Sequence, residues 1–317
     1  MGCLGYKGMD ENGAKQAYAG SQYGSKENDN VENEDNKINK IIAKPEKQNE
    51  KEEKYSEDDY ETKDKELKNK ENKESKVEYR NKINLVYFTE SEGIYNIFGK
   101  EFGNNNYNNL ELIINGHKEE LYISYKLEKG NNNITLLIKN KITNFEHMFN
   151  GCRTLKDITE LKYLDVSEST SFDSMFCYCK LLSDITALSN WNVSKCENFA
   201  SMFSGCSSLT NIDPLNNWNI SICKYLTHMF FECSSLIDIK PLENWNVSYC
   251  ENFERTFFGC SSLADISPLK KWNVSECNNF VYMFGSCSSL SDIKALESWN
   301  VSKGINFTAM FFGCKIF

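Results

Sequence analysis

Cysteine offers the most chemistry in this chain, because seven of its thirteen cysteines recur at one fixed spacing. These seven lie 27 residues apart, at Cys152, Cys179, Cys206, Cys233, Cys260, Cys287 and Cys314. Cysteines can pair as disulfides, hold zinc, or lie in a core as small apolar residues. Disulfide pairing would leave one of the seven over, and zinc needs converging groups of cysteines, whereas Cys177 and Cys179 stand alone. We therefore predict no metal site and a column of buried thiols, repeated in a second column, Cys196, Cys223, Cys250 and Cys277.

Tryptophan keeps the same period, at Trp191, Trp218, Trp245, Trp272 and Trp299. Tryptophans can stack on sugars or bases, but one at a fixed place in every repeat is typical of core or edge packing. Each is followed by a triplet such as Asn192-Val193-Ser194, which matches the acceptor pattern for N-glycosylation, as do Asn133 and Asn306. Recurring Asn and Ser also bond to turn backbone, and we predict that role here.

Catalytic residues are not indicated. The three histidines, His117, His147 and His228, do not fall in a recognisable motif. No segment matches a phosphate-binding loop, a dinucleotide fingerprint, a kinase signature or a zinc protease helix. We predict a non-enzymatic protein without a cofactor.

The element that must position these residues is a repeat covering 142–317, counted as six repeats plus a terminal half repeat. A period of this length predicts a stack of identical supersecondary units. Phe199, Met202, Phe203 and Cys206 have the i, i+3, i+4, i+7 spacing of a short helix. A strand is predicted near Ser208 to Asp213. The predicted fold is an α/β repeat solenoid, a stack of 27-residue strand-turn-short-helix units.

Residues 79–141 predict a small β module that covers the open end of the first repeat. Five short apolar runs separated by Gly and Asn clusters are typical of strands. The Asn115-Gly116 pair predicts a tight turn, and a second turn is expected at Gly130 to Asn132. The runs are Ile83 to Phe88, Ile94 to Phe98, Leu110 to Ile114, Leu121 to Tyr125, and Ile134 to Ile138.

Residues 1–78 predict a disordered charged tail, because they combine 20 acidic residues with 15 lysines and few apolar ones. The net charge of −9 argues against a nucleic-acid partner. The sequence shows neither a secretory signal nor an apolar run long enough to cross a bilayer. We therefore expect a cytoplasmic protein.

The phrase from Asn198 to Leu209, with Trp191 to Ser194 before it, resembles the BspA-like leucine-rich repeats. These repeats occur in surface proteins of bacteria, mycoplasmas and protists. The resemblance covers Phe145 to Phe317 and implies a leucine-rich-repeat solenoid that binds proteins or mediates adhesion.

The start, Met1-Gly2-Cys3, resembles the N-termini of Src-type kinases and G-protein α subunits. In those families the glycine takes a myristoyl chain and the cysteine a palmitoyl chain, so the resemblance implies lipidation at Gly2 and Cys3. Tyr6 departs from the Ser or Thr of the usual motif. Two acyl chains would hold the protein at the inner face of a membrane.

We predict a protein-protein interaction scaffold, and the alternative is a cell-surface adhesin exported by an unconventional route. One column that varies in chemistry is the predicted partner-binding face: Thr186, Asp213, Lys240, Ser267 and Lys294. Self-association is also expected, through the C-terminal end of the stack after Cys314, where no polar capping repeat follows.

Overall fold

The computed structural model of the chain describes residues 78–316, all of which belong to one compact unit. Within that range the fold is repetitive and consists mainly of strands and short turns. The predicted tail lies outside the described residues except for Glu78, and so do the predicted lipidation sites Gly2 and Cys3.

The N-terminal part is built on an antiparallel five-stranded sheet in the order β4-β3-β6-β1-β7. A separate pair joins β2 to β5, and a short helix, α1, follows β2. The elements are β1 (Asn81–Thr89), β2 (Gly93–Asn96), α1 (Lys100–Asn106), β3 (Leu110–Ile114), β4 (His117–Glu119), β5 (Ser124–Leu127), β6 (Gly130–Ile138) and β7 (Leu155–Asp157).

Most of the predicted strands are confirmed. The apolar runs fall within or overlap β1, β2, β3, β5 and β6. Asn115 and Gly116 form the turn between β3 and β4, with φ values of 49° and 90°. The second predicted turn is wrong, because Gly130 to Asn132 belong to β6 and pair with the end of β1. The helix α1 was not predicted.

The repeats begin at Asn144, and we number 27-residue units from there. The predicted short helix is wrong, because residues 142–316 contain no α-helix. In its place each unit makes two consecutive turns. In the third unit, Met202 donates its N–H to the carbonyl of Phe199 and Cys206 donates to Phe203. Ser201 and Gly205 carry the positive φ angles, 54° and 72°, that break helical continuity.

Alternate N–H groups of these turns point to the next unit and form a ladder between units. The N–H groups of Phe199, Ser201, Phe203 and Gly205 donate to carbonyls of the fourth unit over 2.7 to 3.0 Å. Isolated parallel bridges join the same place in successive units: Ser171, Asn198, Tyr225, Asn252, Asn279 and Asn306. Hydrogen bonds that a helix would make within one unit are therefore made between units.

The predicted strand of the repeat is seen in the first unit alone among the described units, as β7. It pairs with β1, through Tyr87 and Leu155, and so has a partner strand that later units lack. In later units the equivalent segment is irregular. In each unit from the first to the sixth, this segment leads into a 3₁₀ helix. These helices are Thr159–Tyr163, Thr186–Leu188, Asp213–Leu215, Lys240–Leu242, Ser267–Lys271 and Lys294–Ser298.

One continuous core joins the sheet to the repeats. Inward residues of β1 and β6 alternate with exposed or half-buried ones and share this core with the repeat columns. A column of phenylalanine rings stacks along the units with centroid separations of 5.6 to 5.9 Å. Its members are Phe149, Phe176, Phe203, Phe230, Phe257, Phe284 and Phe311.

Candidate functional site

The cysteine column is internal, as predicted. All twelve described cysteines are free thiols, and all except the half-buried Cys314 are buried. From Cys179 onward each thiol of the first column donates to the carbonyl of a phenylalanine in the preceding unit; Cys206, for example, donates to Phe176 at 3.2 Å. Burial raises the pKa of Cys177 to about 11 and that of Cys277 to about 12. These thiols are packing residues.

We expect the folded Cys3→Ser variant to react quickly with a chromogenic thiol reagent at one thiol only, which we assign to Cys314. The reason is that burial blocks the reagent's access to the other described thiols. At Cys177, a pKa raised from 9 to about 11 also lowers the thiolate fraction roughly 100-fold. Full denaturation should expose the remaining eleven thiols. The control Cys314→Ser should lose the fast equivalent, and two or more fast equivalents would contradict the buried columns.

The tryptophans are also core residues, as predicted. Their exposure is 4 to 8%, so none offers an open stacking platform. Each indole N–H donates to a leucine carbonyl of the preceding unit over 2.9 to 3.1 Å, as Trp218 does to Leu188. Four of the five indole rings also pack against the first phenylalanine of their own unit, as Trp218 does against Phe199.

The Asn-x-Ser triplets form turns, as predicted. The side-chain oxygen of Asn192 accepts the backbone N–H of Ser194 at 3.2 Å, and the equivalent bond recurs in the next four units. Asn306 makes the same bond to Thr308. These asparagines therefore stabilise the corner of each unit.

The predicted partner-binding column forms an exposed ridge, which we call the outer ridge: Thr186, Asp213, Lys240, Ser267 and Lys294. Each residue is the first of a 3₁₀ helix, so the structure brings all five together in successive units. Their backbone N–H groups are bonded to the side chain of an Asp or Asn two residues earlier. Lys240 is ion-paired with Glu243. The ridge has a fixed backbone and variable, solvated side chains.

A second variable surface was missed from the sequence. Outward-facing rings follow one another on the ladder from the fourth unit onward, and we call this set the aromatic strip: His228, Phe231, Phe258, Tyr282 and Phe312. Phe231 stacks on Phe258 with centroids 5.2 Å apart, and Tyr282 meets Phe258 edge-on at 5.8 Å. The first four are half-buried, and Phe312 is 56% exposed.

The strip is held rigidly by its surroundings. Gly285 is buried beneath it, and a Cβ at that position would lie 2.7 Å from the ring of Phe258. The guanidinium of Arg255 lies 5.3 Å from the centre of the Tyr282 ring and is ion-paired with Glu254 at 3.0 Å. Burial lowers the pKa of His228, which favours its neutral form. The rings are therefore positioned before any partner arrives.

The same ladder positions are small or polar in earlier units. Ser174 and Cys177 occupy them in the second unit, and Ser201 and Ser204 in the third. A structural requirement of the repeat would act on every unit alike, so it does not explain the run of rings from the fourth unit onward. Earlier rings on the ladder, His147 and Tyr178, occur one to a unit. The signal in the sequence was this change of residue type, hidden because Phe231 and Phe258 each follow a core phenylalanine.

Other features of the described region do not converge on a reaction centre. An open cavity of about 350 Å³ lies beside β7 and is lined by Lys156, Asp157, Asp184 and Thr186, among others. Across residues 78–316, no three His, Cys, Asp or Glu side chains are grouped to hold a metal ion. The helices seen in this range are too short and too polar for any of them to cross a bilayer.

Comparison with known proteins gave one match. The family described as "Mycoplasma protein of unknown function, DUF285" matches residues 120–239 and 226–317, which together exceed half of the chain. No curated protein and no solved structure matches the chain. The matched region contains every repeat unit, the outer ridge and the aromatic strip. The chain belongs to the DUF285 family.

Proposed function

We propose that the chain is a non-enzymatic protein-binding module, built as a leucine-rich-repeat solenoid of the BspA-like type, that binds its partner through the aromatic strip. The observation that carries this proposal is the row of outward rings on one face of an otherwise uniform stack. Aromatic residues and arginine dominate the energetics of protein interfaces, and the strip supplies the rings with Arg255 beside them. The outer ridge, whose side chains are solvated and partly ion-paired, is the weaker candidate.

The uniform interior supports a binding role over a catalytic one. Cysteine, tryptophan and asparagine, the residue types that first suggested chemistry, are occupied in packing and turns. Variation is left to outward columns, as expected of a scaffold that presents a surface. The module would act in the cytoplasm, and the membrane tether expected at Gly2 and Cys3 is a separate proposal that rests on sequence alone.

Site-specific photo-cross-linking tests the proposal. The full chain would carry benzoylphenylalanine in place of Phe258 on the strip, or in place of Ser267 on the ridge as the matched control. We expect an adduct with a discrete protein from Phe258 alone, and we expect Phe231→Ser to abolish it. The captured protein, once purified, should bind the Phe258→Ser variant at least about 30-fold more weakly, as for a hot-spot residue.

An adduct formed equally from both positions would contradict the proposed face. The same conclusion would follow if Phe258→Ser left the affinity for the purified partner unchanged. Circular dichroism of Phe258→Ser checks that the fold is intact, which we expect because this side chain is outward and half-buried.

A further inference from the structure

The charges around the aromatic strip are unbalanced. Among the outward ladder positions of the fourth to sixth units, the charged residues are Glu232, Glu254 and Arg255. Arg255 is paired with Glu254. Glu232 is exposed and has no salt bridge to any residue in the described range. The strip is therefore an apolar surface with an uncompensated carboxylate at one edge.

Glu232 is held close to the rings. Its backbone N–H donates to the carbonyl of Phe258 at 2.7 Å, and its side chain passes over Gly259, where a Cβ would lie 3.2 Å from its Cγ. Four other units carry glycine at this position and two carry another residue; the glycines are Gly151, Gly205, Gly259 and Gly313, and the others are Tyr178 and Ser286. The φ of Glu232 is 54°, in the left-handed region that favours glycine. Tyr178 and Ser286 adopt the same angle in their units, each with φ of 58°, so this position accepts a side chain, and in the fourth unit that side chain is a carboxylate.

The start of the same ladder repeats this arrangement. Tyr225 is 42% exposed and replaces the asparagine found at that place in five other units, Asn144 among them. Nearby, Lys224 is already paired with Glu197 at 2.6 Å, whereas Glu251, one unit further on, has no salt bridge within residues 78–316. On this face the cations are neutralised and two carboxylates remain, so its local potential is negative, in line with the net charge of −9.

We infer that the aromatic strip binds a short segment of a partner protein that carries apolar or aromatic anchors together with at least one lysine or arginine facing Glu232. The anchors cover the edges of Phe231, Phe258 and Tyr282, and the cation pairs with Glu232 as the rings lose water. Apolar contact provides most of the affinity, whereas the charge selects the partner and speeds its approach. This inference rests on the proposed function and adds the chemistry of the partner.

Selection of a random-peptide phage library against the full chain tests the inference, with the Phe258→Ser variant for counter-selection. We expect the strip-dependent peptides to combine Trp, Phe or Leu with Lys or Arg. Synthetic versions of them should bind Glu232→Lys about tenfold more weakly than the unaltered chain, while Glu232→Gln should have an intermediate effect. Replacing the peptide's cation by Glu should restore binding to Glu232→Lys.

The outcomes separate the inference from the proposed function. Strip-dependent peptides that are acidic or uncharged, or that bind Glu232→Lys as tightly as the unaltered chain, would overturn the basic partner but leave the strip as the binding face. A selection that yields no peptide dependent on Phe258 would overturn the inference, and the cross-linking experiment would then decide the proposed function alone. The variant Ser286→Lys, which adds a cation elsewhere on the ladder face, controls for a general effect of charge.

Discussion

Replacing Phe257 by Ala is expected to lower the free energy of unfolding by about 3–5 kcal/mol, the range typical for a buried phenylalanine. Its side chain is fully buried, and its ring stacks between Phe230 and Phe284 with centroid distances of 5.7 and 5.6 Å. Truncation would open a cavity in the continuous column, because rigid neighbouring units cannot collapse into it. Urea unfolding followed by tryptophan fluorescence measures the change.

The next residue provides a matched control, because Phe258 has the same side chain and faces outward. Phe258→Ala should cost only about 1 kcal/mol, since this ring is half-buried and its ring contacts are with the outward Phe231 and Tyr282. The same variant should lose partner binding. Equal destabilisation by Phe257→Ala and Phe258→Ala would show that the inward and outward columns are assigned wrongly.

The inward columns could be predicted from the sequence, but their backbone conformation could not. The spacing of Phe199, Met202, Phe203 and Cys206 requires one buried face, and both a helix and two consecutive turns satisfy it. Gly205 was the available clue, because glycine recurs before the column cysteine and adopts φ of 72°. The backbone hydrogen bonds that favour the turns over a helix are made to the next unit. The spacing of residues within one unit therefore does not predict them.

The candidate binding surface was harder to predict for the same reason. If the predicted short helix of the fourth unit is assumed, Phe230 and Phe231 are adjacent on it and would belong to one apolar cluster. Once the turns are known, Phe230 lies in the core column and Phe231 on the ladder face. The sheet was easier, because alternation along β1 and β6 and the Asn115-Gly116 turn are local signals. The helix α1 has a weak signal, since Asn and Gly are poor helix formers.

The junction between the sheet and the first unit has its own structural signature. Tyr87 of β1 is buried and interacts with the thiol of Cys152, which has no earlier unit to supply the phenylalanine carbonyl used in later units. Asn84 donates to the carboxylate of Glu160 over 2.6 to 2.9 Å. From these contacts we propose that the sheet caps the stack of units. Residues at the junction must then pack closely against the first unit.

Gly99→Ala is expected to lower the free energy of unfolding by about 3 kcal/mol, at the upper end of overpacking costs. A Cβ at Gly99 would lie 1.8 Å from the carbonyl oxygen of His147, which is backbone of the first unit and cannot rotate away. The backbone of Gly99, with φ of −68° and ψ of 144°, is a conformation that alanine adopts without strain. The substitution therefore tests the steric clash and not the backbone conformation. Gly93→Ala, whose new Cβ would have the side chain of Tyr95 as its nearest neighbour at 3.2 Å, should change stability by less than about 1 kcal/mol. In Gly99→Ala, amide hydrogen exchange should show protection lost in the first unit before the sixth. Equal loss of protection in all units, or no loss in any, would refute the capping role.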